Sequence, residues 1–159
     1  IALLGIVAMS VFSCRKSKIK NKSCNTDAAY FFENDSSYIA LPNIFTPNGD
    51  GVNDSFAPLH GKTVKNSHIT IYKNSTKVFE STDVNFGWGG DFNGKAIAEN
   101  IYKYSIEVAF ISGQQYNHEG TITLVRGKFS GENCDKCKYQ SQFNGKEFDM
   151  SLSSEALCD

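Results

Sequence analysis

The chain lacks a strong charge of either sign, and it lacks any recognisable catalytic motif. Its 159 residues carry a net charge of −1 at pH 7, whereas nucleic-acid binding needs a basic surface, so we exclude a nucleic-acid partner. The three histidines (His60, His68 and His118) are scattered. No G-x-S-x-G, phosphate-cradling glycine loop or H-E-x-x-H occurs. The sequence therefore predicts a protein that is not an enzyme.

A hydrophobic run long enough to cross a membrane is also missing. Residues 1–13 are apolar and uncharged, but a bilayer span needs roughly 20 such residues. Their length suits the hydrophobic region of a signal peptide, and we expect the sequence to begin inside that signal. Val-Phe-Ser-Cys at residues 11–14 resembles a bacterial lipobox, which predicts lipidation of Cys14. The alternative is an ordinary signal peptide that leaves Cys14 as a thiol.

Residues 14–40 are interpreted as the lipidated cysteine and a polar tether. The basic stretch at 15–22 would gain roughly 1 kcal/mol per Lys or Arg beside anionic lipid head groups. A solvated linker explains the same composition. The expected anchor makes a membrane the first predicted partner.

Alternating apolar and polar residues mark the central part of the chain as β-structure. Residues 101–110 alternate throughout, and residues 120–126 do so as well, which is typical of half-buried antiparallel strands. Ser112-Gly113-Gln114 is a candidate hairpin turn between them, and Asn74-Ser75-Thr76 is another. We expect an all-β fold, an immunoglobulin-like antiparallel β-sandwich of about seven strands over residues 41–127.

A loop rich in Asn, Asp and Gly follows the first predicted strand of this sandwich. Its oxygen-bearing side chains either cap turns by hydrogen bonding to backbone amides or bind a calcium ion. A complete calcium hand is excluded, because its first and twelfth positions hold Thr46 and Ala57 where carboxylates are needed. The candidate ligands are Asn48, Asp50, Asn53 and Asp54.

All five cysteines lie outside the predicted sandwich, and three of them are in the tail at residues 128–159. In an exported protein the four cysteines other than Cys14 suggest two disulfides, with three possible pairings. A bond from the residues before the sandwich to the tail would contribute about 4–5 kcal/mol in chain-entropy models. A redox C-x-x-C in the tail is the alternative, although the helical context that activates such thiols is missing. The disulfide candidates are Cys24, Cys134, Cys137 and Cys158.

Several short motifs follow one another in a recognisable order. They are Pro42 to Phe56 (PNIFTPNGDGVNDSF), Ile69-Thr70-Ile71-Tyr72, Gly87-Trp88-Gly89-Gly90, Asn93-Gly94-Lys95, Ile101-Tyr102-Lys103-Tyr104 and Gly120 to Arg126 (GTITLVR). Together they resemble the gliding-motility-associated C-terminal domain, the type B sorting domain of type IX secretion in Bacteroidota. The resemblance implies an immunoglobulin-like sandwich and a role in protein sorting. Trp88, set among glycines, is expected to plug one end of the core.

The resemblance leaves three functions to distinguish. Family members end near the closing Arg, whereas this chain continues to Asp159. We therefore expect a cell-envelope lipoprotein whose sandwich is a structural or protein-binding module, with another envelope protein as its partner. The alternatives are a C-terminal sorting signal that engages the type IX machinery and a calcium-dependent adhesion module. Surface lipoproteins of this group carry acidic residues after the lipidated cysteine, so the basic stretch favours the periplasmic side of the outer membrane.

Overall fold

The computed structural model of the protein describes Cys24, residues 28–126 and residues 136–152. Over these residues the fold is all-β, as the alternation predicts, with two short 3-10 turns, Gln140–Gln142 and Met150–Leu152, and no α-helix. The strands are β1 (Ala29–Asn34), β2 (Ser37–Leu41), β3 (Ile44–Phe45), β4 (Leu59–His60), β5 (Val64–Lys73), β6 (Thr76–Ser81), β7 (Asp91–Phe92), β8 (Lys95–Ala96), β9 (Asn100–Phe110) and β10 (Gln115–Leu124).

A five-stranded sheet in the order β3-β10-β9-β5-β6 forms the larger layer. Its centre is the β9–β10 hairpin, whose turn contains Gly113 at φ 89°, a conformation that glycine adopts without steric cost. The β5–β6 hairpin turns at Asn74, which also has a positive φ of 55°. Both predicted hairpin turns are confirmed.

The smaller layer is a three-stranded sheet in the order β1-β2-β4. β1 and β2 form an antiparallel hairpin at residues 29–41, so the structure differs from the tether expected for residues 14–40. The turn is held by Asn34, whose side-chain oxygen accepts hydrogen bonds from the amides of Ser36 and Ser37 at 3.0 and 3.1 Å. The sandwich thus begins about a dozen residues earlier than the motifs indicate.

The core lies between the two layers. β9 buries every second side chain from Tyr102 to Phe110, and Ile39 and Leu41 of β2 face them from the smaller sheet. Burying a side chain of this size contributes about 1.5–3 kcal/mol. The alternation therefore fixes which face of each long strand is buried, and with it the layer arrangement.

Two details of the sheets depart from the prediction of about seven antiparallel strands. Four of the ten strands contain only two residues, too few for period-2 alternation to reveal. In addition, β3 runs parallel to β10, pairing Ile44 with Thr123 and Phe45 with Leu124. β3 is therefore the outermost strand of the larger sheet, and it follows directly from β2 in the smaller one.

Among the described residues no helix is long and apolar enough to cross a membrane. The apolar stretch at residues 1–13 and the candidate lipidation site Cys14 lie outside the described residues.

Candidate functional site

The loop that follows β3 is held by its own side chains. The Asp54 carboxylate accepts hydrogen bonds from the backbone amides of Asn48, Gly49 and Gly51 at 2.9, 2.7 and 2.8 Å. Asp50 accepts from the amide of Val52 at 2.8 Å and from the Asn48 side chain at 2.8 Å. These contacts are the turn-capping arrangement of the first interpretation of the loop.

These hydrogen bonds also change the acidity of the Asp54 carboxyl. Backbone N–H donors, Gly49 first and then Gly51, hold the pKa of the Asp54 carboxyl below its ordinary value. Of the four candidate calcium ligands, the structure brings Asn48, Asp50 and Asp54 together. The Asn53 side-chain oxygen accepts instead from the amide of Ser141 at 3.0 Å.

No group of three or more His, Cys, Asp or Glu side chains able to hold a metal occurs within the described part of the chain. Asp83 accepts hydrogen bonds from the backbone and side chain of Asn85 within its own turn. His60 also contacts Asn85, whereas His68 pairs with Glu80 at 2.9 Å on another strand. His60 and His68 therefore stay apart in the fold as they do in the sequence.

Arg126 joins three of the motifs at one end of the sandwich. Its guanidinium donates to the backbone oxygens of Gly90 at 2.5 Å, Ile97 at 3.1 Å and Pro47 at 3.4 Å. A planar guanidinium presents several donors in a fixed geometry, which a lysine cannot reproduce. Arg126 thus connects the end of β10 to the tryptophan turn (Gly87-Trp88-Gly89-Gly90) and to the loop after β3. Sequence reading places Arg126 at the end of a motif, but its partners become visible only in the fold.

The tryptophan turn closes the core below Arg126. Trp88 is 1% exposed and packs against the rings of Phe45 and Tyr102, with centroids 5.3 and 4.9 Å away. Its indole N–H donates to the backbone oxygen of Asp91 at 2.9 Å, so the one polar atom of the ring is satisfied. The prediction that Trp88 plugs one end of the core is confirmed.

The tail segment, defined here as residues 136–142, lies against β3. The residue of the sandwich that bonds to the tail segment is Asn43, which is buried at 2% exposure. The Asn43 amide donates to the Lys138 oxygen at 3.0 Å, and the Asn43 side-chain oxygen accepts from the Lys138 amide at 2.7 Å. The Asn43 side-chain amide also donates to the Lys136 oxygen at 2.8 Å. On its other side, the Asn43 backbone oxygen accepts from the Thr123 amide of β10 at 2.9 Å. The tail segment therefore lies beside the start of β3, the outermost strand of the larger sheet, and is bonded there through Asn43.

A disulfide and a second small core fasten the tail segment in place. Cys24 and Cys137 are bonded, 113 residues apart in the chain. Together with Ile44, Val125 and Tyr139 they form a buried cluster separate from the main core. The predicted bond from Cys24 to a tail cysteine is present, and because Cys137 pairs with Cys24 the C-x-x-C pair with Cys134 does not form in this structure.

Cys134 and Cys158 lie outside the described residues, so a second disulfide stays a prediction.

Rings of the tail also reach the smaller sheet. Phe143 contacts Tyr30 of β1 and Tyr38 of β2, with centroids 5.8 and 5.6 Å apart. Tyr30 in turn stacks on Phe32. These contacts join the tail to both layers of the sandwich, and the sequence reading missed them because the partners are about a hundred residues apart.

The fold and these contacts define one β-sandwich domain whose tail is attached by a disulfide. One end of this domain is held by the tryptophan turn and by the hydrogen bonds of the Arg126 guanidinium, which together with that side chain form the arginine clamp. Residues 39–124, more than half of the 159 residues, match the CHU_C type IX secretion signal domain, and the chain belongs to this family. Its role is thus related to sorting in type IX secretion, which associates it with the cell envelope. No curated protein matches the chain. β1 and the tail segment both lie outside the matched residues.

Proposed function

We propose that this protein is a non-enzymatic lipoprotein of the cell envelope whose sandwich serves as a permanent structural or protein-binding module. The lipid would be carried by Cys14, and residues 15–22 would lie close to the membrane surface. The observation that carries the proposal is the Cys24–Cys137 bond. It ties the residues that follow the family domain to the residues that precede it.

This bond supports a permanent structural or protein-binding module, as opposed to a sorting signal, in two ways. Disulfides persist in oxidising compartments such as the periplasm and the cell surface, which fits an envelope protein. The bond also keeps the tail segment packed on β3, with Tyr139 only 1% exposed. An export signal is recognised through an accessible surface, whereas here the end of the last strand is covered by the chain itself.

The smaller sheet supports a binding role. On its outer side Tyr30 and Phe32 of β1 are 39% and 44% exposed and stack on each other. Large exposed apolar patches mark protein interaction sites, and these two stacked rings would contribute to one. Another envelope protein is the partner that this surface suits.

Metabolic labelling with an alkyne palmitate analogue tests the anchor. Wild type should incorporate the label and Cys14→Ala should not, because only Cys14 follows the lipobox-like residues. Cys24→Ser is the matched control and should be labelled like wild type. Unlabelled wild type, or a labelled Cys14→Ala variant, would refute the lipid anchor.

Orientation is tested separately by adding protease to intact cells. We propose the periplasmic side, on the strength of the basic residues at 15–22, so the domain should resist protease until the outer membrane is opened. Digestion in intact cells would place the module at the cell surface instead.

Family membership favours a second candidate, a sorting signal read by the type IX machinery. Deletion of residues 128–159 would then expose the end of β10 and increase the amount of protein at the cell surface, but only in cells with a working type IX system. Unchanged surface exposure after the deletion would leave the standing module as the better account.

A further inference from the structure

We infer that the outer edge of β3 is a docking edge for an extended peptide segment, which the chain's own tail segment occupies and the Cys24–Cys137 disulfide keeps closed. This inference deepens the protein-binding role proposed above and rests on it. The partner is an extended segment of another protein with the tail's pattern, a buried aromatic side chain beside a strand-like backbone.

The contacts of the tail segment give the recognition chemistry. Asn43 exchanges backbone and side-chain hydrogen bonds with Lys138 and Lys136, at distances of 2.7 to 3.0 Å. One of these bonds joins two main chains, and the other two use the Asn43 side chain. A peptide that adds to a sheet edge gains affinity from main-chain hydrogen bonds and specificity from side-chain pockets. These three bonds of Asn43 are to main-chain atoms of the tail, so a segment with different side chains at these two positions can make the same bonds.

The pocket beside this edge is apolar and belongs to the sandwich. Ile44 of β3 and Val125 after β10 form its floor, and both are fully buried beneath Tyr139. If the tail segment leaves, these two side chains and the edge of β3 become accessible together. An uncovered strand edge next to an apolar surface pairs readily with another extended chain, which is why proteins cover such edges.

A second anchor sets the direction of the docked segment. The amide of Ser141 donates to the side-chain oxygen of Asn53 at 3.0 Å, and Asn53 has a positive φ of 51° in the loop that Asp54 organises. The docked segment therefore runs from Asn43 at β3 to Asn53 in the loop. Asn43 and Asn53 both lie within the matched family domain, whereas the tail segment that they bind lies outside it.

The disulfide determines whether the edge is open. While Cys24 and Cys137 are bonded, the tail segment competes with any partner at a high effective concentration, of the order of millimolar or above for a short tether. A dithiol reductant gives two electrons and two protons to the cystine, forming two thiols, and is itself oxidised to a disulfide. The tail segment is then held only by its non-covalent contacts, and a partner can displace it.

Fluorescence anisotropy with a labelled peptide of residues 136–143, carrying Cys137→Ser, tests this inference on the full chain. An opened variant with Cys137→Ser and Tyr139→Ala loses both the latch and the aromatic anchor of its own tail. We expect the opened variant to bind the peptide at least about tenfold more tightly than oxidised wild type, because the competing tail segment is weakened.

Two further substitutions in the opened variant locate the binding edge. Asn43→Ala should abolish peptide binding, since it removes the side chain that pairs with Lys138 and Lys136. Asn117→Ala, on an exposed position of β10, is the matched control and should leave binding unchanged. If the opened variant fails to fold by circular dichroism, wild type reduced with dithiothreitol replaces it and should bind more tightly than oxidised wild type.

Equal binding by the closed and opened proteins, no binding by either, or full binding after Asn43→Ala would each overturn the docking edge. These assays use purified protein without a membrane. Failure of peptide binding therefore leaves the lipid labelling of Cys14 unaffected, and failure of labelling leaves the peptide result unaffected.

Discussion

Gly90 is the residue at which the packing beneath the arginine clamp is most tightly constrained. Its φ is +77°, and a Cβ atom built there would lie 2.5 Å from Cδ1 of Leu124 and 3.1 Å from Nη2 of Arg126. Leu124 is fully buried in the core, so it cannot swing away at little cost. Gly90→Ala should therefore force the tryptophan turn away from the last strand.

Gly94→Ala is a matched control that separates the cost of the steric clash at Gly90 from the cost of the left-handed backbone. Gly94 has a similar φ of +70°, but a Cβ there would meet nothing within 4 Å. Left-handed backbone costs an L-residue roughly 1–2 kcal/mol, partly offset by about 0.4–1 kcal/mol from a stiffer unfolded chain. Overpacking adds about 1–3 kcal/mol at Gly90 only. The backbone contributions cancel between the two variants, so Gly90→Ala should lose about 1–3 kcal/mol more than Gly94→Ala.

Urea unfolding of wild type, Gly90→Ala and Gly94→Ala measures the free energy of unfolding in each case. We expect unequal losses with unchanged m-values, because the area exposed on unfolding is the same in all three proteins. Equal losses would show that the contact between Gly90 and Leu124 does not constrain the native packing, and would refute the account of this end of the sandwich.

Three other predictions concern single side chains. Arg126→Lys should cost about 2 kcal/mol of unfolding free energy in urea, because one ammonium group cannot replace the charged donors to three backbone oxygens; a loss below experimental error would contradict the clamp. Asp54 has a pKa held below its ordinary value of 3.8, so its stabilising effect is complete above that pH and is lost as pH falls through the lower folded value. Thermal unfolding of Asp54→Asn should accordingly show a flatter decline in Tm at acidic pH than wild type does, and parallel declines would argue against the amide contacts. In Gly120→Ala the new Cβ would lie 2.5 Å from the hydroxyl of Tyr104. This variant should lose about 1–3 kcal/mol, and part of that loss should be recovered in a Tyr104→Phe background, whereas additive effects in the double-mutant cycle would exclude a clash with the hydroxyl.

The sequence was sufficient to predict the parts of the fold in which alternation is undisturbed. β9 and β10 bury one face and expose the other, so their period of two is visible and their hairpin follows. β1 was missed because its aromatic residues lie on both faces. Phe31 packs inward near Phe110, while Tyr30 packs outward against Phe143 of the tail, and this destroys the alternation.

The local hydrogen bonds of the candidate site could be predicted from the sequence, but the contacts between distant segments could not. The side chains of the loop after β3 hydrogen-bond within a few residues, so turn chemistry could be read locally. Asn43 gave no such signal, because its tail partners are 93 and 95 residues away. Cysteine spacing likewise left several pairings open, since only the fold places Cys24 beside Cys137.

Mass spectrometry of a non-reduced tryptic digest shows whether the chain's own tail is fastened to the sandwich beside β3. Cleavage after Lys136 separates Cys134 from Cys137, so the pairings can be told apart. We expect a cross-linked pair of peptides that contain Cys24 and Cys137. A bond between Cys134 and Cys137, or a free thiol at Cys24, would contradict it.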